Sequence, residues 1–326
     1  MKILVEKNIP YIKGLLEPWA QVAYLAADDI DAVAVRDVDA LLVRTRTRCD
    51  EALLAGSKVQ FIGTATIGTD HIDLDYCRSR GIAVYNAPGC NAPAVAQWVH
   101  AAIGYWMAQH GIASASQLRL GIVGVGHVGS IVARWARQLG FQVVLNDPPL
   151  GLNGNIEDCD IITYHTPLTR DGDYPTWHLC NEQLLERAQR CRLVLNASRG
   201  AVCDNDALLH WNGDVAIDCW EGEPNINAQL LHKAFVATPH IAGYSAQGKQ
   251  RGTAMVVQAL NEHFGFNAPV NMPQAPLKGA ECVTLESIAS SYNPLLETEV
   301  LKSHPEGFES LRNNYDLRQE TLDVVE

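Results

Sequence analysis

The stretch Leu120-Gly121-Ile122-Val123-Gly124-Val125-Gly126-His127-Val128-Gly129 decides the fold. An apolar run ends in Gly124-x-Gly126-x-x-Gly129, after which Val128, Ile131, Val132, Trp135 and Leu139 recur on one helical face. Strand, glycine turn and helix in that order present backbone N–H groups and a helix N-terminus to a pyrophosphate. Gly124 permits the tight turn, Gly126 lets the backbone approach the phosphates, and Gly129 lets the helix pack closely on its strand. His127 and Val128 complete the segment expected to face the cofactor. The next strand, Gln142–Asn146, runs into Asp147, 18 residues after Gly129. A carboxylate there binds ribose hydroxyls and repels a 2′-phosphate, and Pro148 and Pro149 follow instead of a basic residue. NAD is therefore expected rather than NADP.

The rest of the composition narrows the class. A chain of 326 residues has room for two domains with well-filled cores. Its 47% hydrophobic and 19% charged residues describe an ordinary globular protein. A formal net charge of −12 speaks against a nucleic-acid surface. The nine cysteines are scattered without a C-x-x-C pair, which fits a reducing cytoplasm better than a disulfide framework or a metal site. Met1-Lys2-Ile3-Leu4-Val5-Glu6 reads as a first strand rather than a signal segment, and no apolar run approaches membrane-span length. The expectation is a cytoplasmic enzyme with no metal and no membrane or nucleic-acid partner.

Before the glycine motif, short apolar strands at Ile3–Val5, Gln21–Leu25, Ala40–Val43, Val59–Gly63 and Ile82–Tyr85 alternate with less regular segments, the pattern of a parallel sheet flanked by helices. Asn86–Asn91 is a turn cluster leading into a helix from about Pro93, on which Val95, Trp98, Val99, Ala102, Ile103, Trp106 and Met107 keep helical spacing. After Asn146, strands are expected at Ile161–Tyr164, Leu193–Leu195, Val215–Ile217 and Phe235–Ala237, making six with the first two. The stretch Gly151–Asp160 is too short for a full helical crossover. A second helix with Met255, Val256 and Leu260 on one face spans Gly248 to about Phe264. Phe308–Tyr315 looks helical without an evident partner.

Three segments follow predicted strands of the second domain: Asn196–Gly200, Asp218–Pro224 and Thr238–Gly243. Oxidising a secondary alcohol needs a group that takes the hydroxyl proton as hydride leaves, and His240 suits that task because imidazole titrates near neutrality. A neighbouring carboxylate, for which Glu223 is the candidate, would orient the ring and stabilise its cationic form. A guanidinium can hold both the carboxylate and the C2 oxygen of a 2-hydroxy acid, which suits Arg199. In the first domain Arg44, Arg46 and Arg48 alternate, so an extended chain would set three cations on one side, next to Thr45, a place for an anionic group such as the phosphate that the resemblance given below implies. Arg312 and Arg318 are further candidates for that anion.

The motifs FIGTATIGTDHID (Phe61–Asp73), Ala87–Ala92, His165–Leu168 with Asp171-Gly172, Trp220–Pro224 and TPHIAGY (Thr238–Tyr244) together resemble the D-isomer-specific 2-hydroxyacid dehydrogenase family. The similarity is strongest to its branch that oxidises 4-phospho-D-erythronate to 2-oxo-3-hydroxy-4-phosphobutanoate in pyridoxine biosynthesis. That resemblance implies an α/β fold of two Rossmann-like, doubly wound parallel-sheet domains with a cleft between them and a short C-terminal segment. The expected boundaries are 1–92 with 252–279 for a flavodoxin-like substrate domain, 93–251 for the NAD domain, and 280–326 for a reduced dimerisation segment. It implies that Arg199, Glu223 and His240 are catalytic. It sets Asp147, Thr166, Ala197, Ser198, Asp218 and Gly243 at NAD beside the glycine loop, and Thr45, Thr66 and Tyr244 at the substrate. A homodimer is usual in the family. The alternatives are a dehydrogenase for glycerate, phosphoglycerate or a simple 2-oxo acid, and a non-catalytic NAD(H)-sensing protein.

Overall fold

A computed structural model describes residues 1–273 and 283–320. The chain forms two compact units, one from Met1–Asn91 and the stretch from Ala246, the other from Ala92–Ser245 and the described residues 283–320. The expected boundary at 279–280 lies outside the described residues. Beyond it, the described C-terminal residues belong to the second unit.

In the first unit, β1 (Lys2–Glu6), β2 (Gln21–Leu25), β3 (Ala40–Val43), β4 (Phe61–Thr64) and β5 (Ala83–Tyr85) form a parallel sheet in the order 2-1-3-4-5. Successive side chains point to opposite faces, so each strand feeds two cores. Leu4, Leu41 and Val43 join one core with Leu53 and Leu54 of α1 (Glu51–Leu54) and Cys77 of α2 (Leu74–Ser79). Ile3, Val5, Ala40 and Leu42 join the other, which Val256, Val257 and Leu260 of the long helix Ala246–Phe264 close. A Cβ on Gly63 would come within 2.7 Å of Val256, so this strand needs glycine where the helix seats.

The second unit opens with α3 (Ala92–Gln109), whose predicted apolar stripe is buried throughout. Then come β6 (Arg119–Val123), α4 (His127–Gln138), β7 (Gln142–Asp147), β8 (Leu152–Asn153), β9 (Ile161–Tyr164), α5 (Glu182–Arg187), β10 (Leu193–Asn196), α6 (Asn205–His210), β11 (Asp214–Ile217), α7 (Ala228–Lys233) and β12 (Val236–Ala237). The sheet order is 12-11-10-9-6-7-8. It has seven strands where six were expected. The extra one, β8, is two residues long and antiparallel to β7. It replaces the missing crossover: ten residues can make a turn back along β7 but not a helix that returns the chain in parallel. A strand so short leaves no alternation in the sequence.

After α8 (Ala246–Phe264), the described tail forms α9 (Leu285–Ser291), α10 (Pro294–Ser303) and α11 (Phe308–Asn313). Ile288 of α9 joins the core under α3 and α4. Leu301 and Phe308 join the core on the opposite face of the sheet. The C-terminal helix thus has a partner after all, the sheet of its own unit. None of the described cysteines is in a disulfide, and no helix among the described residues is long and apolar enough to cross a membrane.

Candidate active site

In a parallel sheet, every loop after a strand emerges at one edge. The chain order reverses between β6 and β9, and ligands of open α/β sheets bind at that edge near such a reversal. The glycine loop follows β6 there. Gly124 has φ +85°, a left-handed conformation that L side chains rarely adopt, and a Cβ on it would meet the His165 carbonyl at 2.9 Å. A Cβ on Gly129 would overlap the Gly124 carbonyl oxygen, so the first turn of α4 lies directly on the loop. Gly126 caps α4 without a side-chain hydrogen bond, leaving the first N–H groups of this 12-residue helix for a ligand. Asp147 ends β7 and accepts the Val125 N–H at 2.7 Å, which sets the carboxylate against the glycine loop. Thr166 Oγ1, just beyond β9, is buried without a hydrogen-bond partner. An uncapped helix end, a carboxylate beside the loop and an unsatisfied hydroxyl fit a dinucleotide's phosphates and sugars.

The loops after β10, β11 and β12 bring in the remaining groups. Asn196 accepts the Ser198 N–H at 3.1 Å and its hydroxyl at 2.9 Å, while its amide donates to the Arg199 carbonyl at 2.9 Å. This fixes Ala197, Ser198 and Arg199 in one turn. The Arg199 guanidinium, half-buried, donates to the Ser198 carbonyl at 2.9 Å. His178 braces the following segment, pairing with Glu221 at 2.9 Å and facing Asp204 at 3.5 Å.

His240 and Glu223 meet: Nδ1 lies 2.8 Å from Glu223 Oε2. The other carboxylate oxygen accepts the Trp220 N–H at 2.6 Å. His240 itself has φ +56°. Asp218 is buried and organises this turn, accepting Thr238 Oγ1 at 2.6 Å and the Ile241 N–H at 2.7 Å, and Trp98 of α3 donates to Thr238 Oγ1 at 3.0 Å. Burial pushes the Asp218 carboxyl up, against the opposing pull of His240 and these hydrogen bonds. Burial also acts to raise Glu223. The hydrogen bond and charge of His240, the Trp220 N–H and the Arg312 cation outweigh it, so Glu223 sits below the usual carboxylate range.

Arg312 of α11 lies 4.0 Å from Glu223 Oε2, and Arg318 donates to the carbonyls of Ile241 and Tyr244. The sequence offered these two arginines only as anion binders. Their contacts with this turn carry no periodic signal, because the tail reaches it through tertiary packing. Gly243 and Tyr244 lie in the same turn, with Tyr244 edge-on to Tyr315, ring centroids 6.3 Å apart.

The substrate candidates of the first unit lie at the equivalent edge of its own sheet. Thr66 Oγ1 is 2.6 Å from Thr64 Oγ1, which in turn lies 3.2 Å from His71 Nε2. Thr45 is exposed. The arginine segment is a turn rather than an extended strand, because the buried Glu6 carboxylate accepts both the Arg44 N–H at 2.8 Å and the Thr47 hydroxyl at 3.0 Å. Its cations diverge accordingly: Arg44 donates to the Asn8 carbonyl at 3.1 Å, Arg46 faces Asp28 at 3.7 Å, and Arg48 pairs with Asp50 at 2.8 Å.

A family model, D-isomer specific 2-hydroxyacid dehydrogenase, catalytic domain, matches residues 3–271. The chain belongs to that family. A curated relative from Bacteroides fragilis, named erythronate-4-phosphate dehydrogenase, is 44% identical over 339 residues, covering 98% of this chain and 97% of the relative. One of the same name from Escherichia coli is 41% identical over 285 residues, covering 83% of this dehydrogenase and 75% of the relative. The D-lactate dehydrogenase of Aquifex aeolicus, solved with NAD and lactic acid, shares the fold, with a TM-score of 0.63 at 20% identity over 84% of this chain and 100% of that one.

Proposed function

We propose that this chain oxidises 4-phospho-D-erythronate to 2-oxo-3-hydroxy-4-phosphobutanoate with NAD, in the route to pyridoxine. The observation that carries the chemistry is the His240–Glu223 pair at the edge where the glycine loop opens. The identity to erythronate-4-phosphate dehydrogenases over nearly the whole chain supports the substrate. NAD, when bound, supplies the acceptor for the hydride that leaves C2; Gly124, Gly126, His127, Val128, Gly129, Asp147, Thr166, Ala197, Ser198, Asp218 and Gly243 are the residues proposed to hold it.

His240 takes the proton of the C2 hydroxyl. Its Nδ1 is committed to Glu223, so Nε2 is the nitrogen that faces the substrate, and Glu223 both fixes the ring and balances the positive charge the ring acquires. In the reverse direction the same nitrogen returns the proton as the oxo group is reduced. Arg199 provides a fork for the substrate carboxylate and the C2 oxygen, which gains carbonyl character as hydride departs. Thr45, Thr66 and Tyr244 are assigned to the substrate; Arg44 and Arg46 stay candidates for its phosphate only as single cations that exchange Asn8 and Asp28 for it, not as a cluster. A cytoplasmic homodimer, usual in the family, is part of the proposal.

The test follows nicotinamide absorbance when purified protein and NAD receive 4-phospho-D-erythronate or D-glycerate, with a 2-oxo acid in a parallel sample to reoxidise retained NADH. Strong preference for the phosphorylated acid is expected. Preference for D-glycerate would keep the mechanism and remove the substrate assignment, and NADH binding without any turnover would leave a binding protein.

A further inference from the structure

We propose that Arg318 is a positioning residue of this active site, its guanidinium holding the backbone that follows His240. The inference rests on the functional reading above for what that backbone does. Nη1 donates to the carbonyls of Ile241 at 2.9 Å and Tyr244 at 3.1 Å. Nη2 donates to the carbonyl of Ala242, and at 3.0 Å to that of Ala94 on α3. Nε donates to Gln97 Oε1 at 3.1 Å, and Gln97 in turn binds Ser291 Oγ at 3.1 Å and the Gln319 carbonyl at 3.3 Å. The guanidinium carbon lies 4.3 Å from the ring centroid of Tyr292. Ser245 bridges to Arg318 in parallel, and its hydroxyl donates to Glu320 at 2.6 Å.

Three carbonyls from Ile241, Ala242 and Tyr244 therefore converge on one cation. Carbonyl dipoles brought together in this way repel one another unless a positive group with several donors sits among them. Arginine meets that need with five N–H donors in a rigid plane, whereas lysine has three on a compact point charge. The need is sharpened by His240, whose left-handed backbone is one that a non-glycine residue keeps only when its surroundings hold it. By setting the peptide planes of Ile241, Ala242 and Tyr244, Arg318 sets where the His240 ring, the Gly243 backbone and the Tyr244 phenol stand. It touches no reacting atom; it acts through the turn.

Arg318→Lys and Arg318→Ala test this in the full-length chain, with two readouts. The first is turnover: kcat should fall about 100-fold in both variants, the usual consequence of a misplacement of about 1 Å, with the thermal midpoint of the lysine variant near wild type. Low, non-denaturing guanidinium should restore part of the alanine variant's kcat, and ammonium should not. The second, amide hydrogen exchange, needs no activity: exchange should speed up at residues 241–245 and stay unchanged in β6 and β10. If the wild-type chain turned over no hydroxy acid, the functional reading would fail while the exchange result still judged the clamp. Wild-type kcat in the lysine variant, or faster exchange spread evenly through the unit, would overturn the proposal and leave Arg318 as a packing residue.

Discussion

His240 stands in a region of backbone space that costs a non-glycine residue about 1–3 kcal/mol, and its ring is held at 2.8 Å by Glu223. A strained residue fixed from two sides suits a group that must meet a proton at one defined nitrogen. His240→Gln is expected to lower kcat about 1,000-fold with NADH binding retained, as read by nicotinamide fluorescence and turnover on one sample. Glu223→Gln removes the charge that balances the ring and should cost about 100-fold or more in kcat. Because Glu223 titrates below the usual carboxylate range, its pairing with His240 is present above that range and fades only as pH falls through the lowered value. The residue types were legible: a histidine, a glutamate and an arginine after three predicted strands. The cation 4.0 Å from Glu223 was not, because Arg312 is remote in the chain and arrives on a helix with no motif of its own.

At the scale of elements, β6, the glycine turn and α4 act as one piece, and glycine spacing is a steric requirement rather than a signature. Gly129→Ala places a methyl group against the Gly124 carbonyl, so helix and loop must separate. We expect NADH affinity to fall at least 10-fold, with a loss of about 1–3 kcal/mol in stability from overpacking; titration of NADH and urea unfolding of the same variant check both. Wild-type affinity would mean that the loop relaxes freely. Strands that carry side chains to two cores read clearly because their middles are apolar, Ile3–Val5 in β1 and all four residues of β3. The segment after β3 did not read correctly. Alternation of arginines suggested an extended edge, but the carboxylate of Glu6 folds those residues into a turn and scatters their cations. A single buried acceptor from another strand overrides a local pattern.

Two buried imidazoles make the stability of the second unit depend on pH in the acid range. Burial pushes His100 down to about 4, and burial with the nearby His100 pushes His165 down to about 3. Both stay neutral in the folded chain, and each has an Nδ1 without a partner. When unfolded they would titrate near 6.5. As pH falls below that value the unfolded chain binds protons that the folded chain refuses, so stability declines until the folded values are reached. The loss should be on the order of a few kcal/mol between pH 6.5 and 4, seen as a falling urea midpoint. A neutral replacement of His100 should flatten part of that slope, and an unchanged slope in it would exclude His100 as a contributor.

By itself the sequence determined the two parallel-sheet units, the glycine turn and the carboxylate closing β7, and it singled out His240, Glu223 and Arg199 as candidates, the first two of which the fold pairs. Each of these rests on local physics: side-chain period, backbone freedom at glycine, and loops that must follow strands at one edge of a parallel sheet. Only the tertiary structure decided the antiparallel strand β8, the turn imposed by Glu6, and the packing of the tail that brings Arg312 to Glu223 and Arg318 to the carbonyls after His240. Those features depend on which distant groups meet inside the fold, where a buried carbonyl or carboxylate must find a partner. Sequence spacing carries no record of such a partner, whether it is the Glu6 carboxylate, 38 residues before Arg44, or the Ile241 carbonyl, 77 before Arg318.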